Sequence, residues 1–207
     1  MFLSRVEIPW EYARNPYDLH RQLWRLFPGE EKETRSNNEE LRQGFLFRTE
    51  DNPTGRPARL LVQSRRMPEA ASGLVIVSSR EFQPQPVAGQ RLAFLLTANP
   101  VKTITDTQRD AKPGKKSGKC RVPLIKEEEQ HEWIARKLAS AGEIEAVNIL
   151  PHSLVYFRKG NRGGKLATVT FEGVLRVSDP TRIAELLANG IGHAKAFGCG
   201  LLLVRRL

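Results

Sequence analysis

Two consecutive hydrophobic patterns, each reading β-α-β-β-α-β, predict an α+β protein made of two tandem ferredoxin-like domains. The pattern is clearer in residues 88–207. Residues 1–87 repeat its order with a stunted second helix. A chain of 207 residues with 40% hydrophobic composition holds both units without a long unstructured insert.

Taken in order, Phe2 to Ile8 alternates as a strand. Pro16 to Phe27 then carries Leu19, Leu23, Leu26 and Phe27 on one helical arc of roughly 100°, a core-facing stripe. The stretch from Phe27 to Gly44 is polar and mixed in sign and reads as a solvated connection. Phe45–Arg48 and Arg59–Gln63 read as paired strands, Pro68–Ala71 as the stunted helix, and Leu74–Val77 as the start of a fourth strand. The units meet near Pro86–Gly89.

In the second unit Leu92–Leu96 is a short apolar run suited to a buried strand. Glu127 to Ala141 places Trp133, Ile134 and Leu138 at helical spacing, with acids early and bases late as the helix dipole favours. Val155–Phe157 and Ala167–Phe171 flank a Gly-rich basic turn, a hairpin pattern. Asp179-Pro180 caps and starts a helix through Ile183, Leu186 and Leu187 that Gly190 stops, and Leu201–Val204 supplies the last strand.

Thirty-three Lys and Arg against 23 Asp and Glu give a formal charge of +10, which points to an anionic partner. Eight basic and two acidic residues fall in Lys102–Lys126, and four basic residues with no acid in Arg158–Lys165. No apolar stretch is long enough to cross a bilayer, and MFLSRVEIPW lacks the pattern of a signal peptide. With Cys120 and Cys199 far apart and no His/carboxylate set at metal-ligand spacing, neither a disulfide framework nor a metal or other cofactor is expected, and a cytoplasmic location is.

Beside the core stripe of the first helix, Tyr17, His20 and Trp24 form a second stripe spanning roughly 60°. The phenol and imidazole are i, i+3 neighbours at the edge of the core. The residues alone leave two readings of His20: a proton donor or acceptor at a cleft, or a boundary histidine that packs or bonds a carbonyl. His131 reads as solvated on a charged helix, His152 as part of a connection, and His193 as a turn residue or an RNA contact. The segment from Gly190 to Gly200 is Gly-rich and basic. It follows a helix rather than a strand and lacks Gly-Lys-Ser/Thr, so it is neither a dinucleotide fingerprint nor a P-loop. Its glycines suit either close phosphate approach or packing. The Arg158–Lys165 tip suits a groove or phosphate contact.

Several ordered motifs resemble the CasE-type CRISPR RNA endoribonucleases, the repeat-processing subunits of type I-E Cascade complexes. They are the MFLSRVEI start, Tyr17-Asp-Leu-His20-Arg-Gln-Leu-Trp-Arg-Leu-Phe-Pro28, Leu61-Val-Gln-Ser64, Ala98-Asn-Pro-Val-Lys-Thr103, Lys119-Cys-Arg-Val-Pro-Leu-Ile-Lys126, Phe171-Glu-Gly-Val-Leu175 and the Gly-Ile-Gly-His-Ala-Lys-Ala-Phe-Gly-Cys-Gly tail. The resemblance implies metal-independent cleavage of CRISPR precursor RNA at the 3′ base of each repeat stem-loop. The 2′-OH would attack, leaving a 2′,3′-cyclic phosphate and a 5′-OH. It places the catalytic histidine at His20 and its companion tyrosine at Tyr17. It sets RNA-facing roles at Lys102, Arg121, Arg158, Lys159, Arg162, Lys165, Gly192 and Lys195. The implied partners are the repeat hairpin, the retained guide RNA and other Cascade subunits, with no membrane. A phosphate-stabilising lysine known in some relatives has no assignable counterpart among Arg21, Arg25 and Lys32. The rival reading is a structured-RNA-binding subunit without catalysis, and a weaker one is a metal-dependent DNase.

Overall fold

The computed structural model describes residues 1–29, 44–105 and 119–207, leaving aside the side chains of 119 and 151–153. Lys32 and most of the polar connection therefore lie outside the described residues, as does the middle of the first basic run.

In the first unit β1 (Phe2–Ile8) leads through a one-turn helix α1 (Trp10–Ala13) into α2 (Pro16–Leu23), which tightens into a 3₁₀ turn at Trp24–Leu26. β2 (Phe45–Asp51), β3 (Ala58–Ser64) and β4 (Val75–Glu81) follow, and the antiparallel sheet runs β2-β3-β1-β4. Alternation sends Val6, Ile8, Phe45, Phe47, Leu60 and Val62 to one face, where they meet Leu19, Leu23, Leu26 and Phe27. The stripe read from the sequence is thus the buried face of α2.

The expected second helix of this unit is not formed: residues 67–71 take no regular structure. Too few residues separate β3 from β4 to repay helix nucleation, and Pro68 has no N–H to give. The segment is pinned irregular instead, with the Glu69 amide donating to the Leu26 carbonyl at 2.8 Å and the Leu74 amide closing a turn on the Ala71 carbonyl at 3.0 Å.

The second unit begins with β5 (Arg91–Ala98), followed by a separate hairpin of β6 (Val101–Thr105) and β7 (Lys119–Pro123). Next come α3 (Glu127–Leu138), β8 (Gly142–Lys159), β9 (Arg162–Val177), α4 (Pro180–Asn189), a 3₁₀ turn at Lys195–Phe197 and β10 (Leu202–Arg206). The sheet order β10-β5-β9-β8 matches that of the first unit, first strand between third and fourth. Both are ferredoxin-like. Asp179 caps α4 as expected, accepting from the amides of Thr181 and Arg182. β8 and β9 are far longer than the sequence suggested, 18 and 16 residues. His152, expected in a connection, lies within β8, at an irregularity between Leu150 and Ser153 beside Pro151, a residue that sheets tolerate mainly at edges and bulges.

The helix-free face of the first sheet meets the second unit at a small seam where Leu46 and Leu61 cluster with Leu201, flanked by Leu3 and Leu203. Across it the buried Gln63 side-chain amide donates to the Leu187 carbonyl at 2.6 Å. This seam fixes α2 relative to the second unit.

Candidate active site

Helix α2 starts where Asn15 takes an extended conformation and its side-chain oxygen accepts from the Tyr17 amide. Pro16 at the first helical position needs no partner for its missing N–H. One turn on, the half-buried His20 ring sits in an aromatic cage. It meets Trp24 edge-on at 5.9 Å, Phe45 at 5.3 Å and Phe47 at 6.3 Å, the last nearly parallel. Burial among these rings pushes the imidazole pKa below its ordinary 6.5, so the neutral ring dominates at pH 7. A neutral imidazole is the form that can accept a proton.

The long β8–β9 hairpin of the second unit reaches this helix. The Asn15 side chain donates through Nδ2 to the Arg158 carbonyl and accepts from the Arg158 amide through Oδ1, both at 3.0 Å. A side-chain amide thus stands in for a neighbouring strand. The next residue, Lys159, places its Nζ 5.5 Å from the centre of the Tyr17 ring. Phe157 packs at 4.5 Å on Phe197, and Phe197 lies 6.4 Å from Tyr17, so the Gly-rich segment joins the same cluster. Gly164, paired with Phe157 across the hairpin, leaves the space that the Phe157 ring fills. Arg14, Asn15 and Asp18 on one side and Tyr156–Arg158 with Gly163–Lys165 on the other line an open groove of about 940 Å³.

The structure therefore brings Arg158 and Lys159 to the start of α2 beside Tyr17, with Lys165 lining the same groove as Arg14, Asn15 and Asp18, while His20 lies one turn further along α2 against the aromatic rings of the first unit. Arg162 sits at the hairpin tip, paired in register with Lys159. The remaining expected residues lie on other elements. Lys102 on β6 is ion-paired with Glu129 of α3 at 2.6 Å, and the exposed Arg121 lies on β7. Lys195 donates to the Asn189 carbonyl at 2.7 Å. Gly192 has φ +81 and its missing side chain leaves room for Trp133, so packing and backbone conformation account for that glycine.

Sequence reasoning missed Asn15, Phe45, Phe47, Phe157 and Phe197. The Asn-Pro step did carry a helix-start signal. Nothing local could show that Asn15 also binds a strand 143 residues away. The Cys199 thiol is buried, which pushes its pKa up to about 12 and makes it a poor nucleophile. Among the described residues no group of three His, Cys, Asp or Glu could hold a metal ion, and no helix is long and apolar enough to cross a membrane.

Fold and site together define a class: tandem ferredoxin-like proteins in which a basic hairpin of one domain closes against a Tyr/His-bearing helix of the other. The chain belongs to the CRISPR-associated protein family, whose pattern matches residues 1–206. It is 39% identical over 202 residues to the Cascade subunit CasE of Escherichia coli K12, covering 98% of each chain. The crystal structure of Cas6e from E. coli K-12 superposes with a TM-score of 0.84 at 38% identity over the whole of both chains. The endoribonuclease Cse3 of Thermus thermophilus is 34% identical, covering 92% of this chain and 90% of that protein. A structure of Cse3 with an RNA representing a pre-cleavage complex matches with a TM-score of 0.73 at 29% identity, over 99% of this chain and 98% of that one.

Proposed function

We propose that this protein is an endoribonuclease that cleaves CRISPR precursor RNA at the 3′ base of each repeat stem-loop, without a metal, and keeps the mature guide RNA as a subunit of Cascade. The reading rests on one observation above the others: the Tyr17/His20 face of α2 is met by an acid-free basic hairpin, in a chain 39% identical to a Cascade subunit. The nucleophile belongs to the substrate, so no water needs activation. His20 takes the proton from the 2′-OH, the 2′ oxygen bonds to phosphorus, and the bond to the 5′ oxygen breaks. The products are a 2′,3′-cyclic phosphate and, once the leaving oxygen is protonated, a 5′-OH. Tyr17, one turn before His20, orients the ribose or phosphate through its hydroxyl. One positioned acid or base of this kind supplies roughly 10²-fold to 10⁴-fold. The domain division proposed is 1–87 for the part carrying α2 and 88–207 for the part carrying the hairpin and the Gly-rich segment.

The test is a labelled cognate repeat hairpin incubated with purified protein in EDTA. Cleavage at one phosphodiester is expected, with no cleavage when the scissile 2′-OH is replaced by hydrogen. Cutting of the 2′-deoxy substrate would end this mechanism. Tight, salt-sensitive binding with no cleavage would make the protein an RNA-binding subunit only. His20→Ala is expected to bind normally and to cleave at least about 100-fold more slowly.

A further inference from the structure

The β8–β9 hairpin carries two adjacent aromatic residues on opposite faces. Phe157 turns to Phe197 and packs there at 4.5 Å. Tyr156 stays 67% exposed, with no ring contact, hydrogen bond or ion pair among the described residues. Its surroundings are cationic. Lys165 pairs with it across the hairpin, and Arg158 stands two residues along the same face, opposite Gly163. A side chain at Gly163 would meet nothing, so the face beside the Tyr156 ring is open. Arg14, before the start of α2, lines the same groove of about 940 Å³. All three cations are exposed, and none of their side chains has a hydrogen bond or ion pair among the described residues. The one acid lining the groove, Asp18, is already held by Arg21 at 2.8 Å and the Asn15 side-chain amide at 2.7 Å. The groove also adjoins the proposed reaction centre. Asp18 follows Tyr17 directly, and the Asn15–Arg158 clamp, two hydrogen bonds of 3.0 Å, ties one wall to the other.

We propose that this groove binds an unpaired nucleotide flanking the repeat stem, its base stacked on Tyr156 and its phosphates met by Arg14, Arg158 and Lys165. The inference rests on the cleavage reading above and extends the RNA footprint past the stem. A free aromatic face among unpaired cations suits a base that is not already stacked, together with the backbone that carries it. The stem itself cannot use such a face, because its bases are stacked and paired within the helix. Two single strands leave the base of the stem, one upstream and one downstream of it, and both offer this chemistry. Every base has a π face, and no side chain in the groove is placed to select one by its edge. The site therefore registers that a flank is present without reading its sequence.

The experiment measures the affinity of the full chain for three uncleavable 2′-deoxy repeat hairpins: a blunt stem-loop, one with a short unpaired 5′ extension and one with a short unpaired 3′ extension. The wild type is expected to bind at least one extended hairpin about 10-fold tighter than the blunt one, and the arm that gains identifies the strand. An abasic residue in that extension erases the gain, whereas exchanging its bases leaves it within about 3-fold. Tyr156→Ala is expected to lose the gain while binding the blunt hairpin within about 2-fold of the wild type. Tyr156→Phe and Tyr156→Trp keep it. Tyr156→Leu, which retains apolar bulk on the strand but has no π face, loses most of it. Equal affinity of the wild type for all three hairpins overturns this inference, as does a gain that survives in Tyr156→Ala or in Tyr156→Leu. Cleavage of the unmodified hairpin with its expected 2′-OH dependence would leave the cleavage reading standing in each of these cases. A wild type that neither binds nor cleaves the hairpin overturns that reading, and this inference with it.

Discussion

At the scale of single residues, the chemistry proposed for His20 depends on what surrounds its ring. Three aromatic rings within 6.3 Å withhold water from the imidazole and favour its uncharged form. If that neutral ring takes the 2′ proton, the single-turnover rate is flat above pH 6.5 and falls only as pH drops through the lowered pKa. Rates at saturation between pH 5 and 8 check this. A rate that declines steadily as pH rises through the same range would make His20 the acid instead. Stability follows the same sign. With the folded pKa below the unfolded one, the unfolded chain binds the proton more tightly, so stability present above pH 6.5 is lost as pH falls through the folded value. His20→Phe fills the cage without titrating, so its melting temperature should fall less between pH 7.5 and 5 than that of the wild type.

At the scale of elements, the β8–β9 hairpin does two things that the sequence made look separate. The basic turn was readable because glycines and the absence of acids mark a solvated tip, and α2 was readable because Leu19, Leu23 and Leu26 recur at helical spacing. The reading placed RNA grip in one domain and chemistry in the other. The length of β8 and β9 brings them together, and strand length depends on pairing across the sheet rather than on the local run Val155–Phe157. For the same reason Asn15 was legible as a helix cap and illegible as a clamp. The misread helix at Pro68–Ala71 has the opposite cause, since fold symmetry suggested an element for which the connection had no room. Arg162 and Lys165 lie beyond the clamp, make no ion pair among the described residues and fit phosphate contact. Replacing both with Ala is expected to reduce the slope of log affinity against log salt by about 2, while the rate at saturating protein stays within about 3-fold. Titrations of the 2′-deoxy hairpin at several salt concentrations give the slope. An unchanged slope would place the tip outside the RNA footprint.

At the scale of the whole molecule, the site exists only if the two domains hold a fixed relation, because Asn15 and Arg158 come from different ones. The seam that fixes it is small: Leu46, Leu61 and Leu201, with the Gln63–Leu187 hydrogen bond beside them. Arg48 sits on β2 two residues from Leu46 and opposite Leu61, so alternation puts its side chain on this same helix-free face. Burial lowers its pKa, with Glu50 pulling the other way. Its Nε and Nη1 are buried without hydrogen-bond partners among the described residues. Unpaired donors on a partly buried cation oppose folding, whereas an unbranched apolar side chain of similar length would extend the leucine seam. Arg48→Met is therefore expected to stabilise the protein by about 1 kcal/mol, which for a chain of this size raises Tm by about 2 to 4 °C. Calorimetry on the RNA-free protein decides it. A lower Tm would mean that the Arg48 guanidinium holds the domains together and that the seam depends on it as much as on its leucines. A higher Tm with slower cleavage would mean that this arginine is retained for the RNA at the expense of the fold.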